Sequence, residues 1–204
     1  MKLDDNDLLL IRAAVARGGK IWDDDSLAPV KKKIKEHYKK KVGGCCYCRK
    51  PFVNEFNMVI DIEHVLPKSS FSEFMFELFN LNISCKRCNM RIKQERTDFL
   101  VDPQTIRANA QRSDQYRLIH PNLDEYTPNM GLLEVGVDGK RFVKYNAKTD
   151  KGKYTYSFFE LDKLEVETLN ELQGIDSAQT ELSAAMAPAI IQEALALLRR
   201  LQEN

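Results

Sequence analysis

Two Cys-x-x-Cys pairs are the strongest constraint on how this chain can fold. The pairs are Cys45/Cys48 and Cys85/Cys88, and 36 residues lie between them. Each pair presents two sulfurs to one ion, so that two pairs complete a closed tetrahedral zinc site. A single pair would fit a redox dithiol equally well, whereas two pairs favour a structural zinc knuckle. The fifth cysteine, Cys46, is an alternative ligand to Cys45, but Cys45 has the two-residue spacing.

The composition is that of a protein with a hydrophobic core and almost no net charge. The chain has 204 residues, of which 43% are hydrophobic and 30% are charged, and its formal net charge is +1. Any affinity for nucleic acid must therefore come from local clusters of basic residues. The sequence shows no apolar stretch of membrane-spanning length and no signal-peptide pattern at residues 1–5. We therefore expect a cytoplasmic protein, in which reduced thiols favour metal over disulfides.

Three regions are predicted along the chain, and together they indicate an α+β fold. Residues 1–44 are predicted to form N-terminal helices, and the second of these carries a lysine-rich strip. Residues 45–100 hold the cysteine pairs and the segment between them. Residues 101–204 are predicted to be a C-terminal α+β extension with a β-hairpin around Asp138-Gly139 and helices at 162–173 and 176–202. The run at 154–159 is aromatic and β-prone.

Polar side chains suited to metal binding and proton transfer lie between and beside the cysteine pairs. His64 can take a proton from water near neutral pH, because its unperturbed pKa is about 6.5. Glu63 and Asn89 offer the carboxylate and amide oxygens that magnesium prefers. Asn80 can hydrogen-bond near His64 and fix the adjoining loop. On a regular strand Asp61 and Glu63 share a face that His64 does not, so either the strand bends or Asp61 is the cation ligand.

Four short segments of the central region form a specific pattern. They are Cys45-x-Tyr47-Cys48, Glu63-His64-Val65-Leu66-Pro67, Asn80-Leu81 and Ser84-Cys85-x-x-Cys88-Asn89. This pattern resembles the zinc-containing HNH endonucleases over roughly residues 45–96. The resemblance implies a ββα-metal core, His64 as the general base, a divalent cation held by Glu63 and Asn89, and Asn80 at the middle position. Glu63 stands where the family more often has Asp, and Asn89 stands where it has the final His.

Shorter motifs flank this core. They are Ile21-Trp22, His120-Pro121-Asn122-Leu123-Asp124 and Lys151-Gly152-Lys153-Tyr154-Thr155. These motifs resemble the HNH component of Septu-type and retron-associated antiphage systems, which implies an ABC-type ATPase partner. The apolar stripe of the predicted helix at 176–202 is a candidate docking surface, although such a stripe is more often part of a core. His120 is more simply explained as a packed or capping histidine.

Basic residues on both sides of the first knuckle are candidates for contacts with phosphate groups. The second predicted helix contributes four lysines, and the helix predicted after Cys85 adds three further cations. These residues are Lys31, Lys32, Lys35, Lys39, Arg87, Arg91 and Lys93. Contacts with phosphates dominate non-specific affinity for DNA. A solvated helix face is the simpler interpretation of the lysines.

These features predict a metal-dependent HNH endonuclease that hydrolyses phosphodiester bonds in DNA and acts in antiphage defence. Water activated by His64 would be the nucleophile, with Mg²⁺ or a similar ion as cofactor. One alternative is a non-cleaving zinc module that binds nucleic acid or a partner, which would not need Glu63, His64 and Asn89 together. Another is an RNA-cutting toxin effector such as a tRNA nuclease, since the sequence does not separate DNA from RNA.

Overall fold

The computed structural model describes residues 1–53, 55–137 and 140–165. The chain divides into two compact units, Met1–Tyr126 and Thr127–Asn204. The expected boundaries after residues 44 and 100 both lie inside the first unit. The predicted helix at 176–202 lies outside the described residues, as does most of the helix predicted at 162–173. Within the described part of the chain, no helix is both long enough and apolar enough to cross a membrane.

Two helices begin the first unit. Helix α1 spans Asp5–Arg17 and helix α2 spans Ala28–Val42. The start of α1 is fixed by a capping box, in which the side chains of Asp4 and Asp7 accept from each other's backbone N–H groups at 2.9 Å. Lys33 on α2 donates to both carboxylates, at 2.6 Å to Asp4 and 2.5 Å to Asp7. This contact joins the two helices at the N-terminus of α1.

A strand pair followed by a helix forms the centre of the first unit. Strand β1 (Ile60–His64) pairs antiparallel with strand β2 (Leu81–Cys85), and the pairing runs from Ile60 opposite Cys85 to His64 opposite Leu81. The chain then enters a π-helix at Arg87–Lys93. Helix α2 packs on both strands and buries three residues, Val30, Ile34 and Tyr38. The expected α+β class is therefore confirmed.

Short helical turns connect these elements. Single 3₁₀ turns occur at Ile21–Asp23, Asp25–Leu27, Asn57–Val59, Ser72–Phe74, Leu78–Asn80 and Ser113–Gln115. Short α-helices occur at Ile106–Asn109 and Tyr126–Asn129. The turns between β1 and β2 carry aromatic residues, and they bring the chain back so that the two strands can pair.

The second unit contains the predicted hairpin. Strand β3 (Met130–Val137) pairs antiparallel with strand β4 (Lys140–Ala147), and the turn itself lies outside the described residues. The β-prone prediction for 154–159 is wrong, because Asp150–Phe158 is a helix. Its first turn is capped by Thr149, whose hydroxyl accepts from the N–H of Gly152 at 3.1 Å.

Candidate metal and active site

The four cysteines of the two pairs come together in one buried cluster. The sulfurs of Cys45, Cys48, Cys85 and Cys88 all lie within 4.8 Å of one another, and none is in a disulfide. Cys48 Sγ is 3.8 Å from Cys85 Sγ. A tetrahedral zinc ion with bonds of about 2.3 Å separates its sulfur ligands by about 3.8 Å. The cluster therefore has the donor set and the spacing to bind a metal such as zinc.

The first knuckle is held in place by backbone contacts. Cys45 N–H donates to the Lys50 carbonyl at 2.9 Å, and Cys46 N–H donates to the Ile83 carbonyl on β2 at 3.0 Å. Gly44 is required at the base of this turn, because a Cβ atom there would lie 2.5 Å from the Lys50 carbonyl oxygen. The knuckle is thus docked on the same strand that ends in the second cysteine pair.

Cys46 lies outside the four-sulfur cluster. It is buried, but only Cys45 of the two adjacent cysteines belongs to the group that could hold an ion. Burial raises the pKa of Cys46 well above its usual range, and the neighbouring Cys45 adds to the increase. The structure therefore favours Cys45 as the ligand.

A groove of about 790 Å³ brings together three of the predicted site residues, Asp61, His64 and Asn89. Asp61 and His64 come from β1, which pairs with β2 alone among the described residues. Asn89 comes from the helix that begins directly after β2. The opposite wall is formed by α2 and the turn before it. The other lining side chains that matter here are Trp22, Lys31, Lys32, Lys35, Lys68 and Lys86.

The two carboxylates of β1, Asp61 and Glu63, have different environments. Asn89 Nδ2 donates to Asp61 Oδ2 at 3.2 Å, and the Asp61 side chain is 21% exposed in the groove. Glu63 is 0% exposed and does not line the groove. Its Oε1 is engaged by Lys93 Nζ at 3.0 Å and by the Tyr47 hydroxyl at 3.0 Å. Of the two carboxylates, Asp61 is the one that faces the groove, and Glu63 is enclosed by the protein.

His64 lies at the inner end of the groove with its ring fixed. Its Nε2 lies 3.1 Å from the Met75 carbonyl oxygen, which can only accept, so Nε2 carries the proton and the lone pair is on Nδ1. The ring also meets the edge of Trp22, with centroids 4.3 Å apart. Burial lowers the pKa of His64 to about 3, and the charges of Lys68 and Lys93 add to the decrease. The imidazole is therefore neutral at pH 7.

Asn80 does not reach the groove. It is fully buried, and its amide accepts from the N–H of Leu66 at 2.6 Å and donates to the carbonyls of Leu66 and Phe74 at 3.1 Å. A direct catalytic role for Asn80 is therefore not supported. Its contacts instead close the loop that follows His64, which agrees with the predicted loop-fixing role.

The motif at 120–124 supports the same loop from the other side. Asn122 Nδ2 donates to the carbonyls of Phe79 and Leu81 at 2.8 Å. His120 is fully buried, and its Nδ1 accepts from the N–H of Asn122 at 3.2 Å. Its ring packs against Tyr116, with centroids 4.5 Å apart. His120 is therefore a packed histidine.

The predicted basic residues divide into those that face the groove and those that do not. Lys31, Lys32 and Lys35 line it, whereas Lys39, Arg87 and Arg91 do not. Lys93 also borders the groove, but its side chain is 1% exposed and pairs with Glu63. Its expected contact with phosphates stays a prediction.

Sequence reasoning missed three groove residues: Trp22, Lys68 and Lys86. Trp22 is the only tryptophan of the chain and belongs to a flanking motif whose position in the fold was not predicted. Lys68 directly follows the Glu63-His64-Val65-Leu66-Pro67 segment. Lys86 is the first residue between the cysteines of the second pair. The sequence signal that could have identified these three residues was therefore their position within or beside the recognised motifs.

The groove concentrates positive charge. Burial lowers the pKa of Lys35, and the nearby charges of Lys86, Lys39 and Lys31 lower it further, while Asp61 acts in the opposite direction. Lys86 Nζ lies 3.3 Å from Asp61 Oδ1. A bound anion would reduce the electrostatic repulsion between these lysine side chains. Lysines outnumber carboxylates among the residues that line the groove.

Comparisons of the chain with models of protein families, with curated proteins and with solved structures found no match. The residues of the groove and of the cysteine cluster are therefore the basis for the functional proposal that follows.

We expect Cys45→Ser to lose the metal of the knuckle and Cys46→Ala to keep it, because only the first removes a sulfur from the cluster. Metal analysis of the purified proteins should find about one zinc per chain in the wild type and in Cys46→Ala. The matched pair differs by one position in the sequence. Full zinc content in Cys45→Ser together with its loss in Cys46→Ala would assign the ligand to Cys46.

We also expect the emission of Trp22 to show no titration of His64 between pH 8 and pH 5. A charged imidazole quenches an adjacent indole, and His64 is the ring that touches the single tryptophan. Burial lowers the pKa of His64 to about 3, whereas the unfolded value is about 6.5. The folded state should therefore lose stability as the pH falls through 6.5. A quenching step near pH 6.5 that is absent in His64→Ala would contradict this environment.

Proposed function

We propose that this chain is a metal-dependent endonuclease of the HNH type that hydrolyses phosphodiester bonds in DNA. The observation that carries the proposal is the convergence of Asp61, Asn89 and His64 on one groove lined by lysines. A carboxylate, an amide and a neutral imidazole beside positive charge are the groups that metal-assisted phosphodiester hydrolysis needs. The order of strand, strand and helix around the groove is the order of a ββα-metal core.

Asp61 and Asn89 are the residues that would hold the divalent cation. Their side chains meet at 3.2 Å, and turning the Asn89 amide by 180° would place its oxygen beside the Asp61 carboxylate. A hard cation such as Mg²⁺ takes one carboxylate and one amide oxygen and keeps several waters. When bound, such a cation supplies charge neutralisation for the phosphate and its leaving oxygen.

His64 is the proposed general base, acting through Nδ1. The Met75 carbonyl accepts a hydrogen bond from Nε2–H, and this fixes the neutral tautomer and directs the lone pair of Nδ1 away from that carbonyl. Lys68 is one cause of the lowered pKa of His64. A phosphate bound near Lys68 would offset that charge, so the imidazole would become a stronger base when the substrate is present.

The groove lysines would bind the phosphate backbone without reading the bases. Lys31, Lys32, Lys35, Lys68 and Lys86 line the groove, although the net charge of the whole chain is only +1. Ammonium groups contact phosphates as point charges and carry no sequence information. We therefore propose cleavage with little sequence preference.

In this proposal the cysteine cluster binds structural zinc, because four sulfur ligands leave no open position for a substrate. Asn89 directly follows Cys88, so the cluster would fix the start of the helix that presents the amide. A role in antiphage defence with an ABC-type ATPase stays a prediction from the flanking motifs. The helix at 176–202 that was expected to dock the ATPase lies outside the described residues.

The catalytic test is His64→Ala measured with plasmid DNA and Mg²⁺. The variant should keep its zinc and its fold, and cleavage should fall by roughly 10²–10⁴-fold, which is the usual contribution of a general base. His37→Ala is the matched control, since His37 is on α2 and does not line the groove. Its cleavage rate should equal that of the wild type.

Parallel assays on RNA separate the alternatives. Cleavage of RNA alone, lost in His64→Ala, would keep the mechanism and change the substrate. A zinc-loaded protein that binds DNA but cleaves neither nucleic acid with Mg²⁺ or Mn²⁺ would favour the non-cleaving zinc module. Activity of His64→Ala within a few-fold of the wild type would remove His64 from the mechanism.

A further inference from the structure

A buried ion pair lies directly behind the proposed catalytic histidine. The side chains of Lys93 and Glu63 are 1% and 0% exposed, and Lys93 Nζ is 3.0 Å from Glu63 Oε1. Two charges so deep in a protein are costly unless their remaining hydrogen bonds are well made. The other hydrogen-bond partners of Lys93 and Glu63 therefore indicate the role of the ion pair.

Both members of the pair make further contacts, and one of these is the 3.5 Å approach of Lys93 Nζ to the Gln94 carbonyl oxygen. Lys93 Nζ donates to the backbone carbonyl of His64 at 2.8 Å. Glu63 Oε1 accepts from the hydroxyl of Tyr47 at 3.0 Å. Tyr47 stands between Cys45 and Cys48 in the first knuckle. The four residues thus form a continuous chain of hydrogen bonds from the cysteine cluster to His64.

We propose that Tyr47, Glu63 and Lys93 are positioning residues that hold His64 in its working place and couple it to the cysteine knuckle. His64 is otherwise held through its ring, by the Met75 carbonyl and by Trp22, and through its place opposite Leu81 at the end of β1. Lys93 adds a donor to its backbone carbonyl. With both ring and backbone fixed, Nδ1 keeps one position relative to Asp61 on the same strand. This inference rests on the proposed nuclease function.

The geometry distinguishes this role from packing alone. An apolar pair of similar volume would fill the same space without the desolvation cost. Such a pair would not supply a donor to the His64 carbonyl, which is buried along with the residue. Lys93 borders the groove, but its side chain is 1% exposed and its ammonium group is paired with Glu63.

The experiment compares Lys93→Met/Glu63→Gln with Glu63→Gln. The double variant removes both charges and the donor to His64, but it keeps an acceptor for the Tyr47 hydroxyl. Glu63→Gln keeps the Lys93 donor. Lys40→Met is the control for loss of a surface charge, since Lys40 is exposed and does not line the groove. We would measure kcat, KM for DNA, the melting temperature and the emission of Trp22 at pH 7.

In the double variant kcat should fall by about 10- to 100-fold. A displacement of a catalytic group such as His64 by about 1 Å reduces the rate by that order. KM should not change, because the groove lysines are intact. The emission of Trp22 should move toward that of His64→Ala. Glu63→Gln should retain more of kcat than the double variant, and Lys40→Met should match the wild type.

Wild-type kcat and Trp22 emission in a folded double variant would overturn the proposal and leave the pair a purely structural one. If the double variant does not fold, Tyr47→Phe replaces it, because it removes only a hydroxyl; unchanged kcat and emission there would also overturn the proposal. If the wild type cleaves no nucleic acid, the nuclease proposal fails separately. The Trp22 emission of the same variants then decides whether the hydrogen bonds of Tyr47, Glu63 and Lys93 hold His64 in place.

Discussion

The clustering of four cysteine sulfurs is the constraint that sets the positions of the groove residues. Cys85 ends β2 and Cys88 lies one turn later, so an ion bound by the cluster fixes the junction of strand and helix. Structural zinc contributes roughly 10–16 kcal/mol in small peptides, against roughly 5–15 kcal/mol for the net stability of a whole domain. Asn89, the next residue, takes its position in the groove from that junction. The metal would therefore determine the geometry without taking part in the reaction.

The two carboxylates of β1 show how burial assigns different roles to similar groups. Alternation along a strand puts Asp61 and Glu63 on one face, toward the Arg87–Lys93 helix. Asp61 meets the first turns of that helix near solvent, where it faces Asn89. Glu63 meets its end, where Lys93 neutralises it away from water. One carboxylate is thus available to a cation and the other is used inside the protein.

Much of this site could be predicted from the sequence, and the part that could not depends on tertiary contacts. The spacing of the cysteines predicted the four-sulfur cluster. The sequence segment around His64 predicted that His64 lies beside this cluster. The choice between Asp61 and Glu63 could not be made, because it rests on Lys93, thirty residues further along the chain. Lys93 itself resembled any other cation of an amphipathic helix. The helix at Asp150–Phe158 was missed because its aromatic composition favours a strand, whereas in the structure Thr149 caps its first turn.

The most direct test of the account is the binding of Mn²⁺ to the zinc-loaded protein, followed by electron paramagnetic resonance. The account predicts one hard-cation site that Asp61→Asn weakens by at least about tenfold, which corresponds to about 1.4 kcal/mol. Glu63→Gln should bind Mn²⁺ as the wild type does, because Glu63 is buried against Lys93. Loss of binding in Glu63→Gln with full binding in Asp61→Asn would contradict the account.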